Sequence, residues 1–117
     1  MFWPIMKDLA EDYHLILVDQ LGKGSSSRPE FTFENAQDAT NFLVGWVEKW
    51  REAIGMLNEK FILCGHSLGA YVSGHYTKRY PQHVKKLLLL SPFGVPKRTF
   101  TDEEFPEVFK SYTAPPG

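Results

Sequence analysis

The chain is expected to fold as a single α/β domain built on a parallel sheet of about three strands with flanking helices. Three short apolar runs, at residues 14–19, 61–64 and 85–90, alternate with segments of helical periodicity. That alternation places helices over a parallel sheet, and short links between the elements favour right-handed crossovers. A further sign is Gly65-His66-Ser67-Leu68-Gly69, which follows the middle run directly and opens a helical segment. A strand, a tight turn and a helix is the context in which such a pentapeptide has meaning.

Each element has its own reason. Residues 3–11 read as a short helix with Ile5, Met6 and Leu9 on one side. His14-Leu15-Ile16-Leu17-Val18-Asp19 is nearly all apolar, as a strand buried on both faces of a parallel sheet would be. A glycine- and serine-rich loop follows, residues 20–29. From about residue 34 to residue 55, Ala39, Phe42, Leu43, Trp46, Val47, Trp50 and Ile54 recur at three- and four-residue steps, the mark of an amphipathic helix. The run at 61–64 is the second strand. The helix after the pentapeptide spans residues 68–80 and is stopped by Pro81. Its small residues Ala70, Ser73, Gly74 and Thr77 are spaced to let it lie close on a sheet. The run at 85–90 is the third strand. Residues 1–96 thus form the core, and residues 97–117 mix aromatics, acids and prolines without a period.

Composition narrows the functional classes. At 117 residues the chain holds one modest core at most. Its 43% hydrophobic content, with nine Phe, five Tyr and three Trp, marks a globular chain. A net charge of −1 gives no electrostatic reason to expect nucleic acid as a partner. The single cysteine, Cys64, is expected to be a small buried hydrophobe in a reducing compartment. Pro4 and the charged pair Lys7-Asp8 argue against a secretory signal. The longest apolar runs are too short to span a bilayer. A soluble or peripheral protein is expected, in the cytoplasm.

The pentapeptide reads as a nucleophile elbow. Ser67 sits at the tip, and Gly65 and Gly69 leave room where the backbone turns sharply. In a parallel sheet the strands end at a common rim, where ligands bind. This rim gathers Asp19 and the Gly22-Lys23-Gly24-Ser25 loop, then Ser67, then residues 91–94. The backbone N–H of Leu68 would point to where a tetrahedral oxyanion forms.

A serine nucleophile needs a base, and a third group to orient that base. His14 and His83 fall at the entry ends of their strands, on the opposite side of the sheet from Ser67. His75 lies eight residues along the elbow helix, about 12 Å at 1.5 Å per residue. His66 adjoins the serine, but its side chain leaves the elbow in another direction. Each is read as a packing histidine, so no base is expected within this chain. Asp19 is expected to hold the glycine loop through backbone N–H groups. Asp102, Glu103 and Glu104 read as a solvated charge run.

Two coincidences carry little weight. His14 and Asp19 match an H-x-x-x-x-D spacing, but along a strand residues five apart face opposite ways. The Gly22 loop does not satisfy G-x-x-x-x-G-K-[ST]. A cofactor-dependent oxidoreductase is disfavoured, since no G-x-G-x-x-G follows a strand and opens a helix.

Five segments occur in order: Asp19-x-x-Gly-x-Gly-x-Ser-Ser-Arg28-Pro29, Trp50-Arg51-x-Ala53-x-Gly55, Gly65-His66-Ser67-Leu68-Gly69, Tyr80-Pro81-x-x-Val84 and Ser91-Pro92-Phe93-Gly94-Val95-Pro96. Over about residues 2–98 the chain resembles an α/β-hydrolase-fold protein. It resembles the branch holding the lysophospholipase and N-acylphosphatidylethanolamine lipases and the lipid-droplet lipase co-activator. The resemblance implies a serine carboxylic-ester hydrolase acting on lipids, related to a lysophosphatidic acid acyltransferase activity. It implies Ser67 as nucleophile, Leu68 as an oxyanion N–H donor, and no cofactor or metal. Some co-activator members carry Asn at the nucleophile position, and Ser67 favours the hydrolytic side.

The resemblance also implies a partial fold. The family's oxyanion strand and loop precede the region matched here, and its catalytic Asp and His follow the cap. Family members often have an acid where Ser91 stands. The family's sheet order puts a further strand between those at residues 14–19 and 61–64, so unpaired edges and poor stability are expected. Residues 97–117 would begin the cap or form a disordered tail, with Phe105-Pro106 and Val108-Phe109 as part of an apolar lid. The alternative to an enzyme is a non-enzymatic truncated paralogue that binds lipid or a lipase partner.

Overall fold

A computed structural model describes residues 3–94. The Trp3–Asp12 helix is α1 and the Ala36–Ala53 helix is α2. Strand β1 is Phe61–His66, helix α3 is Leu68–Arg79, and strand β2 is Val84–Leu90. A short 3-10 turn, Pro81–His83, stands between α3 and β2. The core expected up to residue 96 is therefore described to residue 94. The cap-or-tail expectation for 97–117, with the acids at 102–104, lies outside the described residues.

Strands β1 and β2 pair in parallel, as expected, with Leu63 opposite Leu87, Gly65 opposite Leu89 and His66 opposite Leu90. Helix α3 is the crossover between them. Because side chains alternate across a strand, one face presents Leu63, Gly65, Leu87 and Leu89, which are buried or half-buried. The other presents Ile62, Cys64, Leu88 and Leu90, all exposed. The expectation that Cys64 is buried is corrected here, since it occupies the uncovered face. Partial desolvation still raises its thiol pKa above the ordinary value, which disfavours the reactive thiolate.

The expected first strand is also corrected. Among the described residues the sheet has two strands, and residues 14–19 belong to no ladder. Ile16, Leu17 and Val18 are 46%, 53% and 46% exposed rather than buried on two faces. Apolar composition favours a strand only when a neighbour accepts its backbone groups, and none of the described elements does so here. On α1, Ile5 and Leu9 are likewise exposed.

The core lies between α2 and α3 and beneath the sheet. Val44 of α2 and Ala70, Val72 and Tyr76 of α3 are buried. Helix α2 begins where the Asn35 side chain accepts the Asp38 N–H at 2.9 Å, an N-cap worth about 1 kcal/mol. Its α3-facing side carries Thr40, Val44 and Arg51, the three buried positions of that helix. On the far side Phe42 packs with Phe31 and Phe33 at centroid distances of 5.8 and 5.4 Å.

A buried polar cluster ties these elements together. Arg51, 4% exposed, donates to Glu48 from Nε at 3.1 Å and from Nη2 at 2.6 Å, and also to the Met56 carbonyl. Tyr76 Oη donates to Glu48 at 2.6 Å, and His83 Nε2 lies 3.4 Å from the same carboxylate. The Arg51 hydrogen bond, with help from Tyr76, holds the Glu48 carboxyl below its ordinary value despite the opposing cost of burial. Burial, then the bond to Glu48, pushes the Tyr76 phenol well above its own. A charge buried with several donors is tolerated where a lone one is not.

Candidate active site

Ser67 occupies the junction of β1 and α3 with φ 55° and ψ −116°. A non-glycine residue there costs on the order of 1–3 kcal/mol, and the surrounding structure must hold it. Backbone bonds do so from both sides. The Ser67 N–H donates to the Leu90 carbonyl at 3.0 Å, at the end of β2. The Ser67 carbonyl accepts from Ala70 at 3.1 Å, Tyr71 at 3.2 Å and Phe93 at 3.1 Å. Although Ser67 stands at the N-cap of α3, its side chain makes no capping bond. The hydroxyl projects, exposed, as a strained strand-to-helix turn requires.

The two motif glycines differ. A Cβ on Gly65 would collide with the Gly69 carbonyl group and lie 2.6 Å from Ser73 Oγ. Only glycine lets the strand pass so close to the helix. At Gly69 an added Cβ would meet nothing within 4 Å. The reading that both glycines leave room for the turn therefore holds at Gly65 and not at Gly69 among the described residues. Leu68 begins α3, and no described carbonyl accepts its N–H. The first N–H groups of a helix have no partner within it, so this donor is available to a developing oxyanion.

Two of the four histidines are engaged elsewhere. His83 faces Glu48 and stacks on Tyr80 at 6.0 Å. His75 lies 4.5 Å from the Tyr71 ring, centroid to centroid. His14 is exposed on the segment outside the sheet, and His66 ends β1 half-buried. None makes a hydrogen bond to Ser67 among those the described residues form.

Asp19 does what its position suggested: Oδ2 accepts the Ser25 N–H at 2.9 Å, and its carbonyl accepts from Ser26 Oγ. Arg28 closes the loop by donating to the Gly24 carbonyl at 3.1 Å. A separate open groove of about 390 Å³ lies between this loop and α2, lined by Leu21, Asn41, Phe42, Gly45, Trp46 and Lys49. Ser67 is not among the residues that line it. Among the described residues no three His, Cys, Asp or Glu side chains converge to hold a metal ion. No described helix is long and apolar enough to cross a membrane.

Sequence reasoning did not find Thr40, Tyr71 or the Glu48–Tyr76 bond. Glu48 and Arg51, three apart on one helix, were a visible pair. Nothing local announced Thr40 with Tyr71, which are 31 positions apart.

The profile of the family described as "alpha/beta hydrolase fold" matches residues 1–115. A rice protein named "Probable 1-acylglycerol-3-phosphate O-acyltransferase" is 38% identical over 103 residues, 88% of this chain and 24% of that protein. The rat "1-acylglycerol-3-phosphate O-acyltransferase ABHD5" is 39% identical over 106 residues, 89% of this chain and 29% of its own length. The mouse "(Lyso)-N-acylphosphatidylethanolamine lipase" is 40% identical over 93 residues, 80% of this chain and 26% of that protein. The chain thus spans about a quarter of the length of the curated relatives it matches. With the elbow geometry and a match over nearly its whole length, the chain belongs to the α/β-hydrolase fold family.

Proposed function

We propose that Ser67 is the nucleophile of a lipid acyl hydrolase or acyltransferase site, and that Leu68 N–H is one of its oxyanion donors. The strained Ser67 backbone carries this reading. A turn held against its conformational preference from both sides, with the hydroxyl unused among the described residues, suits a nucleophile and has no evident structural purpose. Relatives are named as an acyltransferase and as a lipase, so both names concern an acyl group moved to or from a lipid. In that step Ser67 Oγ attacks the ester carbonyl, its proton passes to a base, and the tetrahedral oxyanion is held by N–H donors. Collapse expels the alcohol and leaves an acyl-serine, which water or a second lipid hydroxyl then resolves. Such substrates would place the working surface at a cytoplasmic membrane or lipid droplet.

The base is expected outside the described residues, because His75 and His83 are engaged elsewhere and none of the described hydrogen bonds joins a histidine to Ser67. The 117-residue polypeptide is therefore expected to be inactive on its own. The same observation supports a second reading, a non-enzymatic product that binds lipid or a lipase partner. A fluorophosphonate probe applied to this polypeptide should label it no faster than the Ser67→Ala variant. Any longer product of the same reading frame should be labelled at Ser67 and lose the label in that variant. Rapid labelling of the 117-residue chain would overturn the missing base. Failure to label Ser67 in a longer product would overturn the nucleophile and leave the second reading.

A further inference from the structure

Tyr71 lies one helical turn beyond Ser67, and its side chain connects three parts of the molecule. Its hydroxyl is 3.1 Å from Thr40 Oγ1 on α2. Thr40 already donates its one hydroxyl proton to the Ala36 carbonyl at 2.9 Å, so Tyr71 is the donor between them. One side of the ring lies near His75, and the ring meets Phe93 in a T-shaped contact at 6.2 Å. A Cβ on Gly94 would lie 3.2 Å from the Tyr71 ring, and Gly94 has φ +71°. The turn after β2 is thus fitted around this ring.

That turn also has a costly residue, Ser91 at φ 45°. A non-glycine residue in the left-handed region is disfavoured because its Cβ crowds the following carbonyl oxygen, so something must hold the loop. The bond from Phe93 N–H to the Ser67 carbonyl fastens one point. The Tyr71 ring walls the next. Phe93 is 64% exposed and Leu68 39% exposed, so two residues joined to Ser67, one by sequence and one by its backbone bond, leave apolar side chains open.

We infer that Tyr71 is a positioning residue that clamps the 91–94 loop onto the elbow, so that Phe93 stands beside Ser67 as a wall for an apolar acyl chain. Its role toward substrate rests on the proposed reading of Ser67, whereas the clamp itself rests on the contacts above. The clamp leaves a backbone signature, protection of the Phe93 amide.

Amide hydrogen exchange of the 117-residue chain tests it, with the β1 and β2 amides as internal reference. In the unaltered chain Phe93 should exchange at least about tenfold slower than in an unstructured peptide. Tyr71→Leu should abolish that protection before the strand amides respond. Tyr71→Phe, which keeps the ring, should restore it. If Tyr71→Leu unfolds the whole chain, Gly94→Ala carries the test, because its methyl group displaces the loop and should expose the Phe93 amide alone. An unprotected Phe93 amide in the unaltered chain, or protection that survives both Tyr71→Leu and Gly94→Ala, overturns the clamp. Ser67→Ala should leave the protection unchanged, since the bond uses the Ser67 backbone. An unreactive Ser67 would then count against the nucleophile reading and not against the clamp.

Discussion

The Tyr76 hydroxyl donates to Glu48 Oε2 at 2.6 Å, joining the helix that carries the elbow to the helix packed against it. Arg51 completes the carboxylate's shell from within α2. Removing one partner of a buried charged bond leaves the other without compensation. Tyr76→Phe should therefore destabilise the chain by about 1–3 kcal/mol. Arg51→Met should cost more, because Glu48 loses its closest cation. Urea unfolding followed by circular dichroism checks both, and equal midpoints for Tyr76→Phe and the unaltered chain would contradict the first.

The same cluster sets a pH dependence. The Glu48 carboxyl is held below its unfolded value of 4.5, chiefly by the Arg51 hydrogen bond. A carboxyl with a depressed native pKa contributes stability that is present above the unfolded value and lost as pH falls toward the native one. Stability should therefore decline as pH drops below about 4.5. Glu48→Gln should flatten this decline while lowering stability at neutral pH. Denaturation midpoints measured from pH 3 to pH 7, an interval bracketing the carboxylate range of about 4, would show it.

At the elbow, Gly65→Ala and Gly69→Ala should part company. The first forces a methyl group into the Gly69 carbonyl and Ser73, an overpacking that costs about 3 kcal/mol or more where backbone must move. The second meets open space within α3. Replacing a helical glycine by alanine there should gain up to about 1 kcal/mol. Thermal unfolding of the two variants gives opposite shifts if the close approach is one-sided.

Ser67→Gly should stabilise the chain while removing the hydroxyl. Glycine adopts positive φ without penalty, so the strain at φ 55° is released. The gain is offset by the greater freedom of glycine in the unfolded chain, leaving about 1 kcal/mol. Ser67→Ala keeps a Cβ and should not show it. A calorimetric comparison of the two variants separates strain from the loss of the side chain.

The elbow was legible from residue types because its causes are local. An apolar run, a glycine where helix and strand nearly touch, and a helix start all lie within about a dozen consecutive residues. The helix at Ala36–Ala53 was legible for the same reason, since its period and its boundary near Gly55 are carried by its own side chains. Residues 14–19 show the limit. Leu15, Ile16, Leu17 and Val18 have the composition of a buried strand, but pairing is a property of two segments. Cys64 makes the same point: its apolar neighbours in sequence point to alternate faces, and only the packing of α3 decides which face is covered.

Sequence alone determined the family, the position of Ser67 at a strand-to-helix turn, and the role of Asp19 in its loop, because short-range sterics and hydrogen bonding suffice for each. Tertiary structure decided that Gly65 and not Gly69 is crowded, that Glu48 gathers Arg51, Tyr76 and His83, and that Tyr71 reaches both Thr40 and Phe93. Those relationships join residues up to several dozen positions apart. No local pattern encodes them, because they exist only once α3 has packed between α2 and the sheet.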